Sequence, residues 1–150
     1  MPRIIGPAAA ALCAAMPAAA EILTVPANAS VGTVMDRLVE EVEQAGATVF
    51  VRVDHAAGAA SVGQPVDDVE LLVFGNPEVG TAAIAASVQA GLMLPLRVLV
   101  YATDDGTMLA YEDPRTMFDD VGINESSEVV ATIQGVLQRL TNKAAAMAID

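Results

Sequence analysis

From residue 31 onward, two hydrophobic periods take turns along the chain, and the switches between them mark out its elements. Val31, Val34, Met35, Leu38, Val39 and Val42 recur at three and four residues, with Asp36, Arg37, Glu40, Glu41 and Glu43 between them. This spacing lines one face of a helix with apolar side chains. Ser30 supplies the N-cap and Gly46 the stop. Ala47, Val49, Val51 and Val53 then repeat at every second residue. A period of two predicts a strand over residues 47–53 with those four side chains on one face. Ahead of the helix, residues 21–25 read as a short extended segment closed by Pro26.

Asp54 is placed to cap a short helix running through Ala60, which Gly63 ends. Residues 69–74 are almost continuously apolar, as a central strand requires. Asn76 at the N-cap and Pro77 at the first helical position open the next helix. It is expected to run to about Leu92 with Val79, Ile84, Val88 and Leu92 inward. Residues 95–102 form a third long strand. Asp105-Gly106 signals a type I′ hairpin turn, which makes residues 107–112 its antiparallel partner. Asp113-Pro114 opens another helical turn. Ser126 or Ser127 then caps a long helix carrying Val129, Val130, Ile133, Val136, Leu137, Leu140, Ala144 and Met147 at helical spacing. Val51, Leu72 and Val98 are expected at the buried centre of the sheet. The connections mix helices with a hairpin, so the fold class is α+β: a mainly antiparallel sheet with helices packed largely on one face, in a single domain.

The first twenty residues follow a different pattern. Arg3 is their only charge, residues 4–16 are apolar, and Pro17 and Ala18-Ala19-Ala20 precede Glu21. A basic start, a short apolar middle and small residues before a charge form a secretory signal peptide. Cleavage is expected between Ala20 and Glu21, leaving residues 21–150 as the domain. The apolar run is short for a membrane span and is interrupted by Pro7. Cys13 follows Leu12 rather than the small residue of a lipid-attachment motif, and it leaves with the signal. The expected destination is periplasmic or secreted, in a bacterium, with no membrane insertion once the signal is removed.

Charge narrows the partners. Nineteen acidic residues against seven basic ones give a net charge of −12, and Lys143 is the single lysine. The arginines are scattered, so no basic stripe exists to hold nucleic acid or an anionic membrane. Apolar residues make up 54% of the chain, and there is no Trp. The core must therefore be built from Val, Leu, Ile, Ala and Met.

Four ordered segments carry a family resemblance: Val53-Asp54-His55-Ala56-Ala57, Leu72-Val73-Phe74-Gly75-Asn76-Pro77, Leu94-Pro95-Leu96-Arg97-Val98-Leu99-Val100-Tyr101, and Tyr111-Glu112-Asp113-Pro114. In this order and spacing the chain resembles the domain-of-unknown-function family numbered 302, over about residues 29–118. The resemblance implies a small bacterial α+β fold and a tendency to self-association. It implies no activity. The stretch Gly58-Ala59-Ala60-Ser61-Val62-Gly63 is smaller in its side chains than the family pattern.

Candidate chemistry is sparse. His55 is the sole histidine and stands beside Asp54. A histidine with a carboxylate neighbour can act as a general base or a metal ligand. Adjacent residues on a strand point to opposite faces, however, so capping or structural hydrogen bonding is the plainer account. Gly75-Asn76-Pro77 resembles the opening of an anion-binding helix, although Glu78 would repel an anion there. Asp67-Asp68, Asp104-Asp105 and Asp119-Asp120 show no calcium-loop spacing and read as solvated turns. Met93, Met108 and Met117 bracket the hairpin and read as core filling. His55, Asp54, Asn76 and Tyr101 are the ligand-binding candidates, with no catalytic residue, metal site or cofactor assigned. The favoured reading is a non-catalytic binding or interaction module of the cell envelope, receiving a small apolar ligand or an envelope protein, with homo-oligomer formation expected. A His55-based enzyme or metal protein and a purely structural homodimer are the alternatives.

Overall fold

The structure, a computed structural model, describes residues 21–146. The signal-peptide reading and Met147 lie outside the described residues. Five strands form one sheet in the order β1-β5-β4-β3-β2. They are β1 (Ile22–Ala27), β2 (Thr48–Asp54), β3 (Val69–Gly75), β4 (Leu96–Thr103) and β5 (Gly106–Glu112). Every neighbouring pair is antiparallel. The helices are α1 (Val31–Gln44), α2 (His55–Ser61), α3 (Pro77–Ala86), α4 (Pro114–Met117) and α5 (Glu128–Ala145). The α+β class, the antiparallel sheet and the element order are as the sequence predicts.

The helix starts follow their capping chemistry. Ser30, Asp54, Asn76, Asp113 and Ser127 each accept a hydrogen bond from a backbone N–H in the first turn of the helix that follows. This satisfies donors that the helix itself cannot. Asp113 also anchors the end of β1, since its N–H donates to Glu21 O at 2.7 Å. Its wholly buried carboxylate is gripped by the Arg115 guanidinium, with Nε to Oδ2 at 3.0 Å. That grip holds the Asp113 pKa below the usual carboxylate value.

α1 and α5 pack against one another and cover one face of the sheet. The core between the layers holds Val34, Met35, Leu38 and Val42 of α1 and Ile133, Leu137 and Leu140 of α5. Leu72, Phe74, Val98, Val100 and Leu109 meet them from the strands. The opposite face carries Val51 and Val53 on β2, Val69, Leu71 and Val73 on β3, Leu99 and Tyr101 on β4, and Met108 on β5, all partly or well exposed.

Three expectations are corrected. Val51 is 45% exposed rather than central. The register shifts between Val49 and Val51, so Val49 pairs with Phe74 on the helix side while Val51 pairs with Val73 on the open side. Phe50 is the extra residue of a β-bulge, and one inserted residue reverses the face of everything after it. Arg52 thereby lands on the helix face, where it binds Asp36 of α1 at 2.6 Å and grips Glu70 with two nitrogens. The third helix stops at Ala86, because Ser87 is extended at φ −152° and ψ 123°. A 3-10 turn over Val88–Leu92 follows. Ala83 takes the buried position, leaving Ile84, Val88 and Leu92 at 44%, 79% and 78% exposure. The hairpin forms as expected but not with a type I′ turn. That turn needs positive φ at both central residues. Thr103 pairs with Gly106, so the central residues are Asp104 and Asp105, and the only positive φ here, +139°, falls on Gly106.

Candidate functional site

A cleft of about 680 Å³ opens at the end of the sheet where β3 stops and β2 and β4 begin. Its floor is Phe74 and Leu96 from the strands and Leu140 from α5, all buried. Val79, Gly80 and Ile84 of α3 form one wall, and Val136 and Arg139 of α5 form another. Phe50 and Pro95 stand at the strand side of the mouth.

Local sequence explains how this space stays open. α3 is rich in Ala and Gly, so its inner surface leaves volume unfilled. Gly80 presents no side chain, and a Cβ there would meet Leu94 Cδ1 at 3.7 Å, an ordinary contact. The bulge throws Phe50 outward, and its ring lies over Gly75, where a Cβ would come within 3.1 Å of the ring edge. Gly75 therefore sets how closely the ring approaches the strand. On α5, Val136, Arg139 and Leu140 are three and four residues apart, which places them on one helical face.

The four predicted site residues do not converge. Asn76 lines the cleft. Its Oδ1 accepts from Glu78 N at 2.9 Å, and its Nδ2 donates to Gly46 O at 3.4 Å. Both polar ends are thus occupied in holding α3 and the α1–β2 turn together. Asp54 and His55 sit at the other end of the sheet, since Asp54 pairs with Glu70 while Thr48 pairs with Gly75. Six residues of strand put the two ends about 20 Å apart. Asp54 Oδ1 accepts from Ala57 N at 2.8 Å as the α2 cap, and His55 is exposed. Tyr101 lies near that far end on the open face, paired with Val69 and Met108. Among the described residues, no three His, Cys, Asp or Glu side chains gather closely enough to hold a metal ion.

The residues that shape the cleft went unnoticed in the sequence, apart from Asn76. Arg139 is an isolated cation inside an amphipathic pattern, and Ile84 reads as core. Only the packing of α3 beside α5 brings them to one opening.

A two-layer α+β domain with an antiparallel five-stranded sheet and an apolar cleft at one sheet end is thus the class that fold and site define. The chain belongs to the DUF302 family, a domain of unknown function, whose model matches residues 23–140. A DUF302 protein from Bacillus stearothermophilus, solved by crystallography, has the same fold with a TM-score of 0.76. It is 18% identical, and the match covers 82% of this chain and 97% of that one. A Brucella suis protein named fluoride-specific ion channel FluC 1 is 34% identical over 109 residues, covering 72% of this chain and 43% of that protein. The Brucella melitensis protein named FluC 2 matches to the same extent over 40% of its length. This chain thus spans about two-fifths of the length of those relatives.

Proposed function

We propose that this domain is a binding module of the cell envelope that takes a small, largely apolar ligand into the cleft between α3, α5 and the sheet end. The cleft is the observation that carries the reading. Its volume of about 680 Å³ falls inside the range typical of small-molecule sites, about 300–1,000 Å³. Its walls are mainly aliphatic and aromatic, with Asn76, Thr81 and Arg139 as polar points. Placement at the envelope is supported by the Arg3, residues 4–16 and Ala18-Ala19-Ala20 arrangement. It also agrees with Brucella relatives whose names denote a channel and in which the matched stretch is under half of a longer chain. The test is a titration with the apolar fluorophore N-phenyl-1-naphthylamine. Fluorescence should rise and saturate with the wild type, and Gly80→Leu, which fills the cleft at a position with room for a side chain, should abolish the rise without lowering the melting temperature. A signal unchanged in Gly80→Leu, or none with the wild type, overturns the proposal.

A second reading, self-association, is favoured by the open face of the sheet. Five strands about 4.8 Å apart, each about seven residues long, present a face of roughly 24 by 24 Å. Pairing two such faces would bury on the order of 1,100 Å², just above what a specific interface needs. In a chain with net charge −12, the charged side chains of this face are Arg97 and Glu112, which bind each other at 2.7 Å. A second copy would meet this neutral face without like-charge repulsion.

A further inference from the structure

We infer that the ligand of the cleft is an amphiphile with an anionic head, its apolar tail against Phe74, Leu96 and Leu140 and its head at Arg139. The inference rests on the cleft being a ligand site, and it adds the chemical class of what enters. Its basis is the state of the cations. Arg52 is paired with Asp36 and Glu70, Arg97 with Glu112, Arg115 with Asp113 and Lys143 with Glu41. Arg37 donates to Ala146 O at 3.1 Å. Arg139 alone of the described cations has neither an ion pair nor a hydrogen bond to a described residue.

That isolation is notable in so acidic a chain. The chain carries nineteen acidic side chains, yet none stands within helical reach of Arg139: the positions three and four residues away are Val136, Gly135, Asn142 and Lys143. Lys143, one turn on, already holds Glu41 at 2.8 Å. A guanidinium forks readily onto a carboxylate, sulfate or phosphate group. Here it stands at the rim of a cleft whose floor is buried and apolar. A wholly apolar ligand would leave the guanidinium unused, and a cationic one would be repelled by it. A single-chain amphiphile satisfies both ends. The tail gains the burial that drives apolar association, and the Arg139 guanidinium gains the anionic partner that no described residue supplies.

The test compares two ligands of equal chain length, dodecanoate and dodecan-1-ol, at neutral pH, by displacement of N-phenyl-1-naphthylamine. Arg139 is solvent-accessible, so the charge preference should be modest. Dodecanoate should bind about fivefold more tightly than the alcohol at low salt, with the ratio falling as salt is added. Arg139→Ala should bring the ratio close to one, chiefly by weakening dodecanoate binding, and Arg139→Lys should keep most of it. Equal binding of the two ligands by the wild type, or an undiminished ratio in Arg139→Ala, overturns the anionic head and leaves the cleft reading standing. Failure of both ligands to displace the probe overturns the cleft reading itself.

Discussion

Truncating Leu72 to alanine should be among the most damaging single changes in this domain. Leu72 is fully buried on β3, a strand flanked by β2 and β4, paired with Arg52 on one side and Val98 on the other. Leu→Ala removes three carbons, each worth about 0.8 kcal/mol of transfer free energy when buried. The loss on that count is about 2.4 kcal/mol. Strand neighbours on both sides and α1 above limit collapse into the space, so a cavity contribution raises the cost to about 3–5 kcal/mol. Val51→Ala is the informative comparison. Read by simple alternation, Val51 is as central as Leu72. The bulge at Phe50 turns it to the open face, where truncation in dilute solution should cost less than about 1 kcal/mol. Urea unfolding followed by far-UV circular dichroism would measure both, and the chain's lack of Trp makes that the natural probe. A loss below about 1 kcal/mol for Leu72→Ala, with a larger one for Val51→Ala, would refute the register and with it the placement of the cleft.

Four further outcomes are expected. Asn76→Ala should cost about 1 kcal/mol through the lost cap, and Asn76→Asp should fall between the two, because it keeps the cap to Glu78 N but loses the donor to Gly46 O. For Asp113, whose folded pKa is lowered, the stabilisation is fully present above the unfolded carboxylate pKa of about 4 and is lost as pH falls through the folded value; the stability gap between wild type and Asp113→Asn should therefore shrink below about pH 4, and a gap constant with pH contradicts the pairing of the buried Asp113 carboxylate with Arg115. Leu71→Glu, on the open face, should keep the native far-UV circular dichroism spectrum and give a monomer by analytical ultracentrifugation where the wild type sediments as a dimer, with a lower melting temperature because the stabilisation by the partner copy is lost; identical sedimentation of the two rules out that interface. Intact-mass analysis of protein expressed in its natural host should show a chain beginning at Glu21, and full-length protein in the soluble cytoplasmic fraction would contradict export.

Element order and helix starts were legible because each depends on a few adjacent residues. Ser30, Asp54, Asn76-Pro77 and Ser127 are local signals, and local hydrogen bonds carry them out. The face assignments of β2 and α3 were not legible, since each turns on one backbone event without a sequence signature. An extra residue at Phe50 inverted the rest of β2. An extended Ser87 released Val88 and Leu92 from the helix and left them in solvent. The cleft was harder still to foresee. Its lining comes from the α1–β2 turn, the ends of β3 and β4, α3 and α5, segments that meet only through tertiary packing. Of the four residues singled out by chemical type, Asn76 alone reached it, and it reached it as a helix cap. Arg139 was one more scattered arginine in the sequence, because what sets it apart is the absence of a partner among the described residues.

The central claim is that the cleft, and no other surface, receives the apolar ligand. An NMR titration of protein labelled at the Ile, Leu and Val methyls, using dodecan-1-ol, tests it most directly. Saturable shifts should gather at Val79, Ile84, Leu94 and Val136, with Leu71, Val73 and Leu99 on the open sheet face unmoved. Shifts gathered on the open face, or no saturable shift at all, would contradict it.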